Sequence, residues 1–373
     1  MKTSLILVDS FKGTFSSARA GGIIKSAFLR TGFGSVDCLP VSDGGEGFAD
    51  AASGKIGGKT INVTVTGPLF EKTDASYILA GKTAVIESAE ACGLRLVPKD
   101  RRDPLKTTTY GVGELVAHAV LNGAEDIIIG LGGSATNDGG TGFACALGGK
   151  FYGTRSPVPV GGTLKDITSV DLSAVNAKYS GVSITGCYDV STPFCGEDGA
   201  SRVYSPQKGA DQAGVEILEA GMKNLAGLIS PPDLFTLRGG GAAGGLGGGI
   251  AAFAGGSLKR GFDYISSLLK LEEIIPRYDL VVTGEGKTDP QTLYGKLPAG
   301  VAAICLAKGV DCFLISGAVV GYLTKLYGLG VTKSFAAAPP YKEGETIDIT
   351  LAEQNLYSAA LRAAGEFLDG FPR

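Results

Sequence analysis

Short apolar runs alternate along this chain with longer segments in which apolar residues recur every three or four positions, as strands followed by amphipathic helices do. "SLILV" at residues 4–8 predicts a buried strand, and "SSARAGGIIKSAFLRTG" predicts a helix closed by Gly32. A second strand in "VDCLPV" and a helix opening in "GEGFADAASG" repeat the unit. Strand-helix alternation of this kind implies a parallel sheet with crossover connections.

From Lys59 the period changes. "KTINVTVTGP" and "TDASYILAGKTAVIES" alternate apolar with polar residues and break at Gly-Pro and Ala-Gly-Lys turns, which predicts antiparallel strands and a new structural unit. That unit continues through a helix at 111–122, a strand at 126–130, a glycine-rich loop, a helix at 142–147 and the strand "VSITGCYDV". Residues 239–256, "GGGAAGGLGGGIAAFAGG", read as a glycine-rich turn feeding a tightly packed helix. Beyond them "LKRGFDYISSLLKLEEIIP" predicts helix, "YDLVVTGEG" a strand and loop, "LPAGVAAICLAKG" a helix, "DCFLISG" and "TKSFAAAP" strands, and "LAEQNLYSAALRAAGEFLDGF" a closing helix. The simplest topology is a two-domain α/β protein. Residues 1–60 with about 290–373 form a parallel α/β domain, and about 61–289 form an inserted second domain of mixed α/β structure.

Composition narrows the partners more than the fold. At 373 residues, with 44% hydrophobic and 19% charged residues, the chain suits two globular domains and is too apolar for disorder. Its 34 basic and 37 acidic residues are well mixed, which argues against nucleic acid while leaving room for a small anionic substrate in a locally basic site. Seven cysteines without metal-ligand spacing read as reduced, mostly buried thiols. The single histidine, His118, lies among helix formers and reads as structural. No segment has the length of a membrane span or the apolar region of a signal peptide, so a cytoplasmic protein is expected.

The candidate chemistry sits where predicted strands end. "LILV" runs into "DSFKGT", "CLPV" into "SDGGEG", "DIII" into "GLGGSATNDGG", "VSITG" into "CYDVSTP" and "DLVVT" into "GEGKTD". Ligands of open α/β sheets bind beyond the carboxyl ends of strands, so five such loops predict one shared polar site. The loop 130–142 has six glycines and an Asn-Asp pair, but neither GxxxxGK[ST] nor GxGxxG. It can be a phosphate nest or simply a tight strand-to-helix turn. Asp43, Asp138, Asp189, Glu285 and Asp289 would repel a phosphate unless a divalent cation stood between them, which suggests phosphoryl transfer from Mg-ATP. Each Asp can equally be an N-cap. Lys12, Arg202, Lys208 and Lys287 lie in or beside these loops and could offset charge on a transferred phosphoryl.

Eight motifs in order, "DSFKGT", "SDGGEGF", "VTGPL", "RDPLKTTTYGVGEL", "IIIGLGGSATNDGGTGFACALG", "GASRVYSPQKGA", "GAAGGLGGG" and "VVTGEGKTDPQTLYGKLPAGVA", make the chain resemble the type 1 glycerate kinases over essentially its whole length. The resemblance implies phosphorylation of D-glycerate by ATP with Mg²⁺, in a two-domain α/β fold with one flavodoxin-like domain and an active site in the interdomain cleft. It implies the 2-hydroxyl as acceptor over the 3-hydroxyl. Another small sugar acid as substrate, or a non-catalytic sensor of hydroxy acids or nucleotides, stays open at this point, as does a homo-oligomer. The roles that follow are Asp189 and then Asp43 as catalytic carboxylates with Lys12 on the transferred phosphoryl. Gly132, Gly133, Ser134, Ser10 and Lys287 would hold phosphates, Asn137, Asp138, Arg202 and Lys208 the substrate, and Asp289 and Glu285 the metal.

Overall fold

The computed structural model describes residues 1–229, 231–290, 292, 296–321, 324–339 and 347–370. Gln291 and residues 293–295 of the eighth motif lie outside the described residues. The chain divides into two compact units, one of Met1–Asp43, Asp50–Lys55 and Phe262–Arg373, the other of Gly44–Ala49 and Ile56–Gly261.

The first unit is built on five parallel strands in the order Lys333–Ala336, Asp311–Ser316, Leu280–Gly284, Thr3–Val8, Ser35–Cys38. Numbered by their own succession in the chain and read from the Ser35–Cys38 edge, these strands run 2-1-3-4-5, the flavodoxin-like order. Side chains of a strand alternate between faces. Ile6, Val8, Val282, Phe313 and Ile315 accordingly join the core beneath the helices Ser17–Arg30 and Ile349–Leu368, and every one of them is essentially inaccessible. Their neighbours Leu5, Leu7, Val281 and Leu314 are equally buried on the opposite face, where the helix Leu297–Lys308 packs. Burial on both faces explains why these strands read as unbroken apolar runs. The closing helix meets Ser17–Arg30 through Ala359, Ala360, Ala363 and Ala364, whose small side chains let the two backbones approach closely.

The second unit carries six strands in the order Ser257–Arg260, Ser183–Tyr188, Asp126–Gly130, Thr83–Glu87, Lys72–Ala80, Lys59–Thr66. The last two pairings are antiparallel and the others parallel, so alternating and continuous apolar patterns both occur in one sheet. The helices Tyr110–Leu121, Thr141–Ala146, Gln212–Leu228 and Leu246–Ala254 complete it. Residues 239–256 do form a glycine-rich turn leading into a buried helix.

Two expectations need correction. Residues 257–260 are a strand parallel to Ser183–Tyr188, and helix starts only at Gly261, because Leu258 is wanted against the sheet more than along a helix face. The return to the first unit falls at Gly261–Phe262 rather than near residue 290, since the strand Leu280–Gly284 pairs with Thr3–Val8 at the centre of the first sheet.

Candidate active site

In the flavodoxin-like order the direction of winding reverses between Thr3–Val8 and Leu280–Gly284, which leaves a crevice at their carboxyl ends. Asp9 and Ser10 leave the first of these strands, and Glu285 leaves the second. The hydroxyl of Ser17 ties in the neighbouring loop. It donates to the Val8 carbonyl (2.7 Å) and accepts from the Val41 amide (3.1 Å), so Asp9 and Asp43 are held by one serine. A cavity of about 360 Å³ opens there, with Asp9, Ser10, Lys12, Asp43, Glu285, Lys287, Asp289 and Lys296 on its polar side. Six of these eight residues were expected at the site; Asp9 and Lys296 were not. Asp9 is the first residue past "LILV", so its place at a strand end was a usable signal, whereas Lys296 is brought in only by the helix it precedes.

The acids at this cavity are under strain of charge. Burial, then the neighbouring charge of Asp43, pushes the Asp9 carboxyl well above the usual carboxylate range, against the Ser10 amide at 2.7 Å and the charge of Lys12. Burial also raises Glu285, whose Oε1 accepts from Thr292 Oγ1 at 2.6 Å and Thr288 Oγ1 at 3.2 Å. A carboxyl with a raised folded-state pKa destabilises the folded state as pH climbs through that range, and the penalty is fully present above it. Groups shifted in this way do not add to stability at neutral pH and cluster at ligand sites. Lys287 Nζ lies 3.7 Å from Asp289 Oδ2 with the lysine well exposed, a pair worth little by itself. Ser10 Oγ is buried and has no hydrogen-bond partner among the described residues.

The remaining expected residues lie in the second unit. Asn137, Ser134 and Lys208 come together there. Lys208 Nζ donates to Ser134 Oγ at 3.0 Å and to the Thr136 carbonyl at 2.7 Å. Burial pulls its ammonium down to about 8, against smaller upward pushes from Cys92 and Asp138. The amide of Asn137 donates to Ser201 Oγ at 3.1 Å, while its Oδ1 is buried without a partner among the described residues. Asp189 follows the adjacent strand, half-buried, and its charge contributes to raising the Tyr204 phenol.

Three residues have partners within the protein that the sequence alone does not reveal, two of them buried and one at the surface. Asp138 accepts from the Thr109 amide and hydroxyl (both 2.8 Å), the Gly140 amide (3.1 Å) and the Gly142 amide (3.2 Å), so it clamps the loop onto the start of the next helix. Arg202 forms a bidentate pair with Glu216 at 2.8 and 3.0 Å. The Gly132 amide donates to the Gly44 carbonyl at 3.2 Å, and a Cβ on Gly132 would lie 2.5 Å from the Gly45 Cα. This glycine therefore serves backbone packing. Gly133 does adopt a positive φ of 71°, and its carbonyl accepts from the Leu94 amide at 2.8 Å. His118 is structural: its Nδ1 lies 3.0 Å from the Tyr77 hydroxyl.

The glycerate kinase family model matches residues 4–367. The chain belongs to the glycerate kinase family. Membership makes it a phosphotransferase with an alcohol group as acceptor. It is 39% identical over 344 residues to a glycerate kinase of Bacillus subtilis (strain 168), covering 90% of each chain. It is 38% identical over 341 residues to the glycerate 2-kinase of Escherichia coli (strain K12), covering 89% of each. The crystal structure of a protein assigned as glycerate kinase 2 from Salmonella typhimurium LT2 superposes with a TM-score of 0.81 at 36% identity over 99% of both chains.

A kinase of this family needs ATP and a group to hold its phosphates. Among the described residues no set of three or more His, Cys, Asp or Glu side chains is arranged to hold a metal unaided. The crevice acids nevertheless fit Mg²⁺, which takes hard oxygen ligands, usually one or two carboxylates with phosphate oxygens and water. A divalent cation would also offset the burial that chiefly raises Asp9 and Glu285, and the smaller repulsion from Asp43. Among the described residues no helix is long and apolar enough to cross a membrane.

Proposed function

We propose that this protein is a cytoplasmic glycerate 2-kinase that transfers the γ-phosphoryl group of ATP to the 2-hydroxyl of D-glycerate with Mg²⁺. The reading is carried by one observation: buried acids and more exposed lysines converge at the switch point of a flavodoxin-like sheet, in a chain that matches the glycerate kinase family from residue 4 to 367. The glycerate 2-kinase of Escherichia coli, similar along 89% of its length, supports the 2-position.

One or two of Asp9, Asp43, Glu285 and Asp289 would hold the metal together with phosphate oxygens and water. Bound there, Mg²⁺ would neutralise charge on the phosphate oxygens. Lys12, Lys287 and Lys296 add positive charge beside the transferred group, where a loose transition state spreads negative charge over its oxygens. On the second unit, Lys208, Ser134 and Asn137 present an ammonium, a hydroxyl and a buried unpartnered carbonyl, a set suited to a hydroxy acid. Asp189 takes the proton of the attacking hydroxyl as its oxygen bonds to the γ-phosphorus and the bond to the leaving ADP oxygen breaks. Phosphorus NMR of the product from D-glycerate and Mg-ATP tests the proposal. A 2-phosphoglycerate signal is expected. A 3-phosphoglycerate signal overturns the regiochemistry, and faster turnover of tartronate or an aldonic acid overturns the substrate.

A further inference from the structure

The glycine-rich motif at 239–256 holds a strained backbone that the phosphoryl chemistry does not use. Ala243 is buried and takes φ 52° and ψ 38°, a left-handed conformation that disfavours any L-residue with a Cβ. Gly244 and Gly245 continue it with φ of 68° and 93°. Three left-handed residues in a row reverse the chain just before the helix Leu246–Ala254. Strain of this kind persists only where surrounding contacts fix it, and it gathers at functional sites.

The contacts that fix it fall on two loops of the same unit, and both loops carry residues of the acceptor side. On one flank the Gly241 amide donates to the Thr192 carbonyl at 3.0 Å, three residues past Asp189, and a Cβ on Gly241 would collide with the Pro193 carbonyl. On the other flank the Gly244 carbonyl accepts from the Gly139 amide at 3.1 Å. A Cβ on Gly244 would collide with the Thr136 carbonyl, the group that receives Lys208. Further along the helix, a Cβ on Gly249 would stand 2.8 Å from both the Gly139 carbonyl oxygen and Gly140 Cα. Backbone meets backbone at each of these points, so no side-chain rotamer is there to absorb a displacement.

We propose that this turn is a brace: it fixes the separation between the loop behind Asp189 and the loop of Ser134 and Asn137, so that the acceptor hydroxyl is presented to its base. Gly241, Ala243 and Gly249 are then positioning residues, which act through the two loops and not on the substrate. The inference rests on the acceptor-side roles given above to Asp189, Lys208 and Asn137.

Steady-state kinetics of full-length variants, with thermal melts followed by circular dichroism, test it. Gly241→Ala pushes on the loop behind Asp189, so kcat should fall about tenfold or more with KM for glycerate little changed. Gly249→Ala pushes on the loop of Asn137, so KM for glycerate should rise about threefold or more with a smaller change in kcat. KM for ATP should hold in both. Val116→Ala, on the helix Tyr110–Leu121 in the core of the same unit, should lower the melting temperature without either split. Hydrogen exchange of the protein without ligands gives a readout that does not depend on the reaction. Ala243→Gly relieves the strain and frees the turn, so amides at 134–140 and 189–199 should exchange several-fold faster together, with no loss of thermal stability. If Gly241→Ala does not fold, Gly249→Ala and the exchange measurement decide the matter. The brace is overturned if folded Gly241→Ala and Gly249→Ala keep the wild-type kcat and KM for glycerate, if Val116→Ala shows the same splits, or if exchange in Ala243→Gly quickens only within 239–249. Faster exchange in both loops, with wild-type turnover by Asp189→Asn, would uphold the brace while rejecting Asp189 as the base.

Discussion

Lys208 shows how much a single side chain can carry. An ammonium with only two neutral acceptors in a buried position sits near the middle of its titration at mildly alkaline pH, about 8 instead of 10.5. Its folded-state pKa is depressed, so the charged form costs stability below about pH 8. Between there and its ordinary value the unfolded chain holds a proton that the folded one lacks, and stability rises with pH. A charge kept under such a penalty is a candidate for binding an anionic group. If it holds the substrate carboxylate, KM for glycerate climbs as pH passes 8 while kcat changes far less. Lys208→Met should show a KM about tenfold or more higher and insensitive to pH in that range, with raised thermal stability at pH 7. A flat wild-type KM from pH 7 to 9 would remove Lys208 from substrate binding. Asp9 carries the opposite charge under a similar penalty, and it was missed because an Asp after a strand is so often only a loop residue.

At the scale of elements, glycine has two unrelated uses here, and sequence spacing does not tell them apart. Gly132 lies against the backbone of Gly45, whereas Gly22, on the exposed face of the helix Ser17–Arg30, has nothing within 4 Å of the point where a methyl group would stand. Substitution should therefore have opposite signs. Gly132→Ala must push the backbone apart, with a loss of about 1–3 kcal/mol. Gly22→Ala should gain about 0.5–1 kcal/mol by lowering the entropy of the unfolded chain and improving helix propensity. Urea denaturation of the two variants separates these outcomes; a neutral Gly132→Ala would mean that the loop is free to move as a phosphate nest would need. Strand and helix types were legible from period alone over most of the chain. The helix Gln212–Leu228 was not read from the sequence, and residues 257–260 were misread as helix because four residues are too few to show whether they repeat at 2 or at 3.6.

For the whole molecule, the division of labour between the two units makes a prediction that neither site makes alone. Hydrogen exchange should slow on adding Mg-ATP at residues 9–15, 285–289 and 347–356, and on adding glycerate at residues 132–138 and 200–208. Protection by Mg-ATP confined to 130–142 would reverse the assignment and restore the glycine loop as the phosphate site. The two units have separate cores, one centred on Ile6, Val282 and Phe313 and the other on Ile86, Ile127 and Leu246, so each can stabilise its own ligand-bearing loops.

The sequence alone determined the alternation of strands and helices, the change of texture at Lys59, the family, and a set of polar loops at strand ends. These follow from short-range spacing, which is written locally. Only the tertiary structure decided which of the polar residues are engaged in holding the fold. Asp138, Arg202 and the Gly132 amide look like Asp43, Lys12 and the Gly133 loop when read in a line, and differ only in what lies across from them. Partners far apart in sequence settle that difference, because a carboxylate met by four donors is a clamp, while one buried beside other carboxylates fits the cation proposed above.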